Sequence, residues 1–239
     1  MLRITLVNTK GGCGKTTIAT GLASYFASTK LRTTLMDYDP QGSSRRWHEL
    51  RDDDLPSIKC INAVRQKAGL TRSWQIYAGF DTEVMIVDTP AGMNASQMVD
   101  LLRQTDVVLV PVMQSVIDMQ ATADFIEQLK RVEKVSTKKK QIGIIANRIR
   151  SGTRSYDVLD QFLENCGLPV VARINDSQNY VNAMEQGQGI YEYYSESTAK
   201  DREQWEPLTK WLNFGSLNVT PIQKPKVIPT LPLESAISC

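Results

Sequence analysis

Residues 2–17, LRITLVNTKGGCGKTT, join a near-continuous apolar run to a glycine-rich turn, and the two threonines at its end open a second stretch, TTIATGLASYFAS at 16–28. The first run suits a buried parallel strand, and the apolar spacing of the second suits a helix. Strand, glycine-rich turn and helix in that order form a phosphate-binding loop. Gly11, Gly12 and Gly14 let the backbone bend so that successive N–H groups, that of Cys13 included, point at phosphate oxygens. Lys15 supplies a point charge to the β- and γ-phosphates, and the hydroxyl of Thr16 is the loop's own magnesium ligand.

The ordinary pattern G-x-x-x-x-G-K-[ST] asks for glycine at position 9, where this chain has Thr9. The loop is a variant, and it holds a second lysine, Lys10. With Lys15 already in the phosphate site, Lys10 has no evident task in its own subunit. This points to a symmetric ATP-dependent dimer with the nucleotides buried between two copies.

Beyond the loop, strand-like stretches at 32–39, 84–90, 106–113 and 141–149 alternate with helical spacing at 42–52, 94–104, 118–135, 153–165, 177–186 and 199–213. That alternation predicts an α/β fold, a doubly wound, mostly parallel sheet flanked by helices, with its ligand at the carboxyl ends of the strands. Further strands are expected around 58–61 and 74–77. Residues 1–214 read as one domain. The stretch 215–239 has prolines at 221, 225, 229 and 232, a spacing that forbids a helix, and is expected to be an extended or disordered tail.

No apolar stretch approaches the roughly 20 residues of a membrane span. The four cysteines, Cys13, Cys60, Cys166 and Cys239, show no C-x-x-C or metal-type spacing, and the start at Met1 carries no basic-then-apolar pattern, so no leader is expected. A cytoplasmic, soluble chain is the expectation. His48 is the only histidine, which excludes a zinc cluster built on two or more histidines. Net charge is only +2, yet Lys130 to Arg154 contains nine basic residues against one acid, Glu133, a local +8. Such asymmetry points to a polyanionic partner or to a solvated helix end.

Two carboxylate motifs complete the chemistry. DYDPQGS at 37–43 ends the second expected strand, and Asp39 there is the candidate to hold the attacking water in line with the γ-phosphate. Asp37, two residues earlier on the same strand face, is expected to assist through the metal shell. VMIVDTPAG at 84–92 drives a single aspartate, Asp88, to a strand end, where it would hold Mg²⁺ beside Thr16. Thr16, Asp39 and Asp88 are the expected metal-side residues.

KGGCGKTT, DYDPQG and VDTPAG together resemble the ParA/MinD family of deviant Walker ATPases, most closely its small ParA-type members, over residues 1 to about 213. The resemblance implies that Lys10 reaches across a two-fold sandwich dimer to the partner's phosphates, while Lys15, Thr16 and Thr17 act within their own subunit. It also implies that Asn147, at the end of IGIIANR, recognises adenine, and residues 173–193 are similar to the family's late helix. A basic amphipathic membrane helix, as at the end of MinD-branch members, is not supported by the proline-spaced tail.

The implied function is a positioning ATPase that uses ATP and Mg²⁺ and works on the nucleoid. Its dimer would hold nonspecific DNA through Arg150, Arg154, Arg173, Lys200 and Arg202, with Lys138 to Lys140 as further contributors. A ParB-like or cargo-adaptor protein would trigger hydrolysis. The alternatives are a metabolic or cluster-assembly ATPase on the same fold, a membrane-associated MinD-like regulator and a nucleotide switch with negligible turnover.

Overall fold

The structure, a computed structural model, describes residues 1–64, 79, 81–93, 95–134 and 140–212. In chain order the strands are β1 (Leu2–Leu6), β2 (Thr33–Asp37), β3 (Ile58–Asn62), β4 (Val84–Asp88), β5 (Val107–Met113), β6 (Gln141–Ile149) and β7 (Val170–Asn175). The helices are α1 (Lys15–Ser28), α2 (Ser43–Glu49), α3 (Ala95–Arg103), α4 (Val116–Lys134), α5 (Arg154–Asn165), α6 (Gln178–Glu185), α7 (Ala199–Glu203) and α8 (Glu206–Leu212). A 3₁₀ turn at Glu196–Thr198 precedes α7.

The strands form one seven-stranded sheet in the order β3-β2-β4-β1-β5-β6-β7, and every pairing is parallel. The predicted α/β parallel fold is what forms. Alternation along each strand divides the core into two layers. Ile4, Leu6, Leu35 and Ile86 face α1 and the Trp47 and Trp205 indoles, while Met36, Met85, Val87, Val108 and Val110 face α3, α4 and α5. Full burial of a Leu, Ile or Phe side chain is worth about 1.5–3 kcal/mol, so these two layers fix the sheet between its helices.

Register brings the chemistry to one edge. Leu6 and Asp37 both pair with Asp88, so the ends of β1, β2 and β4 lie level. The β5–β6 ladder likewise ends with Met113 opposite Asn147. Among the ladders, β1 pairs with β5 only as far as Leu109, before Pro111, a residue with no N–H to give.

The structure adds one strand and divides one expected helix. Strand β7 was not foreseen, because VVARIN is short and its apolar run is broken by Arg173. The single helix expected at 199–213 is divided into α7 and α8, with Pro207 in the first turn of α8, where a missing N–H is tolerated. The strand expected at 74–77 and the tail at 215–239 lie outside the described residues.

Candidate functional site

The glycine-rich loop leaves β1 at the sheet edge and runs into α1. Asn8 anchors its start: its Nδ2 donates to the Pro111 carbonyl at 2.7 Å and its Oδ1 accepts from the Lys10 amide at 3.1 Å. Gly12 (φ 74°) and Gly14 (φ 91°) are left-handed, a conformation that side chains disfavour. Lys15 is buried and folds back across the loop, where its Nζ donates to the carbonyls of Lys10 at 3.1 Å and Asn8 at 3.3 Å. Cys13 Sγ donates to the same Lys10 carbonyl, and burial pushes this thiol's pKa up, away from thiolate chemistry.

Asp88 sits beneath the loop, 1% exposed. Thr16 Oγ1 and Ser44 Oγ both donate to one carboxylate oxygen, Oδ2, at 2.8 and 2.6 Å. The other oxygen, Oδ1, has no hydrogen-bond partner among the described residues. Burial raises this carboxyl to about 6, against the pull of the Ser44 and Thr16 hydrogen bonds. An unpartnered buried carboxylate oxygen is costly. The hard oxygens of Asp88 and Thr16 are a donor set that suits Mg²⁺, which would satisfy it. The residues therefore fit the ion.

Asp39 is half-buried and borders the cleft, with its Oδ1 accepting from the Gln41 amide at 2.9 Å. Asp37, expected to assist through the metal shell, is engaged by backbone amides. Its Oδ1 accepts from the Asp39 amide at 2.9 Å and its Oδ2 from the Arg45 amide at 3.1 Å, so it braces the turn between β2 and α2. Burial pushes its carboxyl pKa up, while those amides pull it down.

The cleft has a volume of about 700 Å³ and is bordered by Gly11, Gly12, Gly14, Lys15, Thr16, Thr17, Asp39 and Asn147. Asn147 is 4% exposed, and its Nδ2 donates to the Cys13 carbonyl at 2.9 Å. Its amide is thus committed in part to holding the loop. Arg148, a member of the basic segment, borders the cleft, as do residues not singled out from the sequence: Asp176, Tyr180 and Val181. Their signal was hidden, because Asp176 follows the unforeseen β7. Ser44 was missed as well, although it directly follows the DYDPQGS motif.

The Lys10 ammonium is engaged away from the phosphate-binding side chains. Its Nζ pairs with Asp118 Oδ1 at 3.4 Å, on the first turn of α4. Beside that pair, Val116 and Ile117 stand 64% and 75% exposed.

The residues expected to meet DNA are not uniformly free. Arg150 and Arg148 both pair with Asp176, at 2.7 and 3.2 Å, and their hydrogen bonds hold its carboxyl below the ordinary range. Arg173 pairs with Asp160, and Arg202 stacks 4.8 Å over the Tyr194 ring and donates to Thr198. Arg154 and Lys200 are exposed. Lys140 does not fit the basic face expected of it, since it is 6% exposed; Lys138 and Lys139 lie outside the described residues. Among the described residues, no helix is long and apolar enough to cross a membrane.

Comparison with known families matches residues 4–190 to the CobQ/CobB/MinD/ParA nucleotide binding domain. The maintenance of carboxysome distribution protein A of Halothiobacillus neapolitanus is 25% identical over 195 residues, 79% of this chain and 86% of that one. Among solved structures, the ATP complex of McdA from Cyanothece superposes with a TM-score of 0.65 at 18% identity, covering 87% of this chain and 96% of that one. The cell division protein MinD of Aquifex aeolicus does so with a TM-score of 0.66 at 18% identity, covering 92% and 100%.

Proposed function

The chain belongs to the CobQ/CobB/MinD/ParA nucleotide-binding family and is an ATPase that uses ATP with Mg²⁺, and from that premise we propose a positioning ATPase that pairs on ATP, holds DNA and moves a cargo. The placement of Lys10 carries this proposal. Lys15 occupies the inside of the loop, whereas Lys10 is held on the outer face by Asp118, where a second copy could meet it. The neighbouring pair of exposed β-branched side chains, Val116 and Ile117, supports the same face as a contact. Under a two-fold axis, a patch bearing an apolar centre and both signs of charge complements itself.

In this scheme Lys15 and the loop amides bind the triphosphate, and Lys10 leaves Asp118 to reach the partner's phosphates. Asp39 orients the attacking water, a positioning task that phosphoryl transfer depends on. Thr16 and Asp88 would hold Mg²⁺, which neutralises phosphate charge. Asn147 keeps the loop in shape and borders the base.

The DNA-holding surface would draw first on Arg154 and Lys200, with Arg150, Arg173 and Arg202 contributing once their partners are exchanged for phosphates. Pairing doubles the cations on one surface, so binding without sequence preference should depend on ATP and on salt. This reading places the protein in the cytoplasm on the nucleoid, with an adaptor stimulating hydrolysis. A protein organelle is the cargo suggested by the carboxysome-distribution relative, and a plasmid or chromosomal region would be moved in the same way.

DNA binding measured with ATP and with ADP, between about 50 and 200 mM salt, tests the proposal. Affinity that needs ATP and falls steeply with salt is expected. Equal affinity with both nucleotides, or indifference to salt, contradicts it.

A further inference from the structure

We infer that Ser44 is a positioning residue that ties the segment carrying Asp39 to the metal-side carboxylate of Asp88; the inference rests on the reading of Asp39 as the water-holding group. Ser44 is fully buried on α2, and its Oγ donates to Asp88 Oδ2 at 2.6 Å. Thr16 donates to that same oxygen at 2.8 Å. One carboxylate oxygen therefore joins the phosphate loop to α2, and the other, Oδ1, is buried without a hydrogen-bond partner among the described residues.

The segment between β2 and α2 has fixed ends and a catalytic middle. The Tyr38 amide donates to the Asp88 carbonyl at 2.9 Å, and Asp37 takes the amides of Asp39 and Arg45. Asp39 then turns directly into α2 through Gly42, whose amide donates to the Asp39 carbonyl at 2.9 Å. The far end of α2 is bolted elsewhere: Trp47 Nε1 donates to the Gln188 carbonyl at 3.0 Å, and Arg51 forms a buried ion pair with Glu192 at 2.7 Å. Ser44 supplies the near-end side-chain tie to the strand that bears the metal-side group. Without it, the first turn of α2 is held only by the Asp37 brace to β2, and the Asp39 segment loosens against Asp88. Misplacement of a positioning group by about 1 Å costs roughly 10- to 100-fold in rate.

Ser44→Ala tests this, because losing one buried hydroxyl leaves the helix and the phosphate cradle in place. Turnover should fall roughly 10- to 100-fold while ATP affinity, read with a fluorescent analogue, changes by less than about twofold. In the nucleotide-free protein, amide hydrogen exchange across residues 39–46 should accelerate. Ser44→Cys, with similar volume and a weaker donor, should fall between parent and alanine, which separates a lost hydrogen bond from a packing defect. In an Asp39→Ala background Ser44→Ala should cost nothing further, since a residue acting through Asp39 has nothing left to position. Parent-level turnover in Ser44→Ala, unchanged exchange over 39–46, or losses that multiply in the double variant would each overturn the assignment. Should Asp39→Ala itself turn over ATP at the parent rate, the water-holding role would fail, and the exchange measurement would still decide whether Ser44 holds the segment.

Discussion

Replacing Gly14 with alanine would place a methyl group 2.0 Å from Asn147 Nδ2, at a φ of 91° that L side chains disfavour. The loop cannot keep its shape around such an atom, so Gly14→Ala should abolish ATP binding, as measured by equilibrium titration, while the sheet stays folded. Lys15→Ala should weaken binding by about 2–3 kcal/mol, the worth of charge-assisted hydrogen bonds to phosphate. Asp39→Ala should bind ATP at near-parent affinity and hydrolyse it roughly 100-fold more slowly, because orienting water is a transition-state task. Parent-rate turnover would pass that role to another residue. At this scale the sequence exposed what depends on spacing: the loop glycines, the two lysines and the aspartates at strand ends. It concealed what depends on partners. Asp37, read as an aid to the metal shell because it shares a strand face with Asp39, also braces the turn through the amides of Asp39 and Arg45, which spacing does not show. The joint hold of Thr16 and Ser44 on Asp88 spans three separate stretches of chain, which no local pattern connects.

Helix α1 shows how an element depends on a distant one. Gly21 lies within it, and a Cβ there would come 2.4 Å from the Cη2 of Trp205, an indole with no exposed surface that could yield. Gly21→Ala gains helix propensity but overpacks this contact, so a net loss of about 1–2 kcal/mol is expected in urea denaturation. A stabilised variant would show that Trp205 can move. Strand β5, a long unbroken apolar run, and the apolar centre of β6 were legible because burial on both faces requires such runs. Strand β7 lies at the sheet edge, where Arg173 can reach Asp160 and Tyr156, and its pattern is correspondingly interrupted. The division between α7 and α8 follows from tertiary packing around Trp205 and Leu208 as much as from Pro207.

For the whole molecule, the charge run from Lys130 to Arg154 marked a basic surface, but folding distributes its members among different tasks. Lys140 is buried, Lys130 donates to the Cys166 carbonyl, and Arg148 and Arg150 share Asp176. Neutralising Arg154 and Lys200 together should therefore weaken binding to all DNA sequences alike, in a filter or fluorescence assay, and leave pairing intact. Lys10→Ala should lower hydrolysis by at least about 100-fold while ATP binding is largely kept, since its charge acts across the interface on the transition state. The mass of the Asp39→Ala protein in solution, with saturating ATP and Mg²⁺ and again with ADP, bears most directly on the role given to Lys10. A mass of twice 26.8 kDa with ATP and a single 26.8 kDa chain with ADP is the expected result. A protein shown to bind ATP that stays at 26.8 kDa would contradict a lysine acting between two copies.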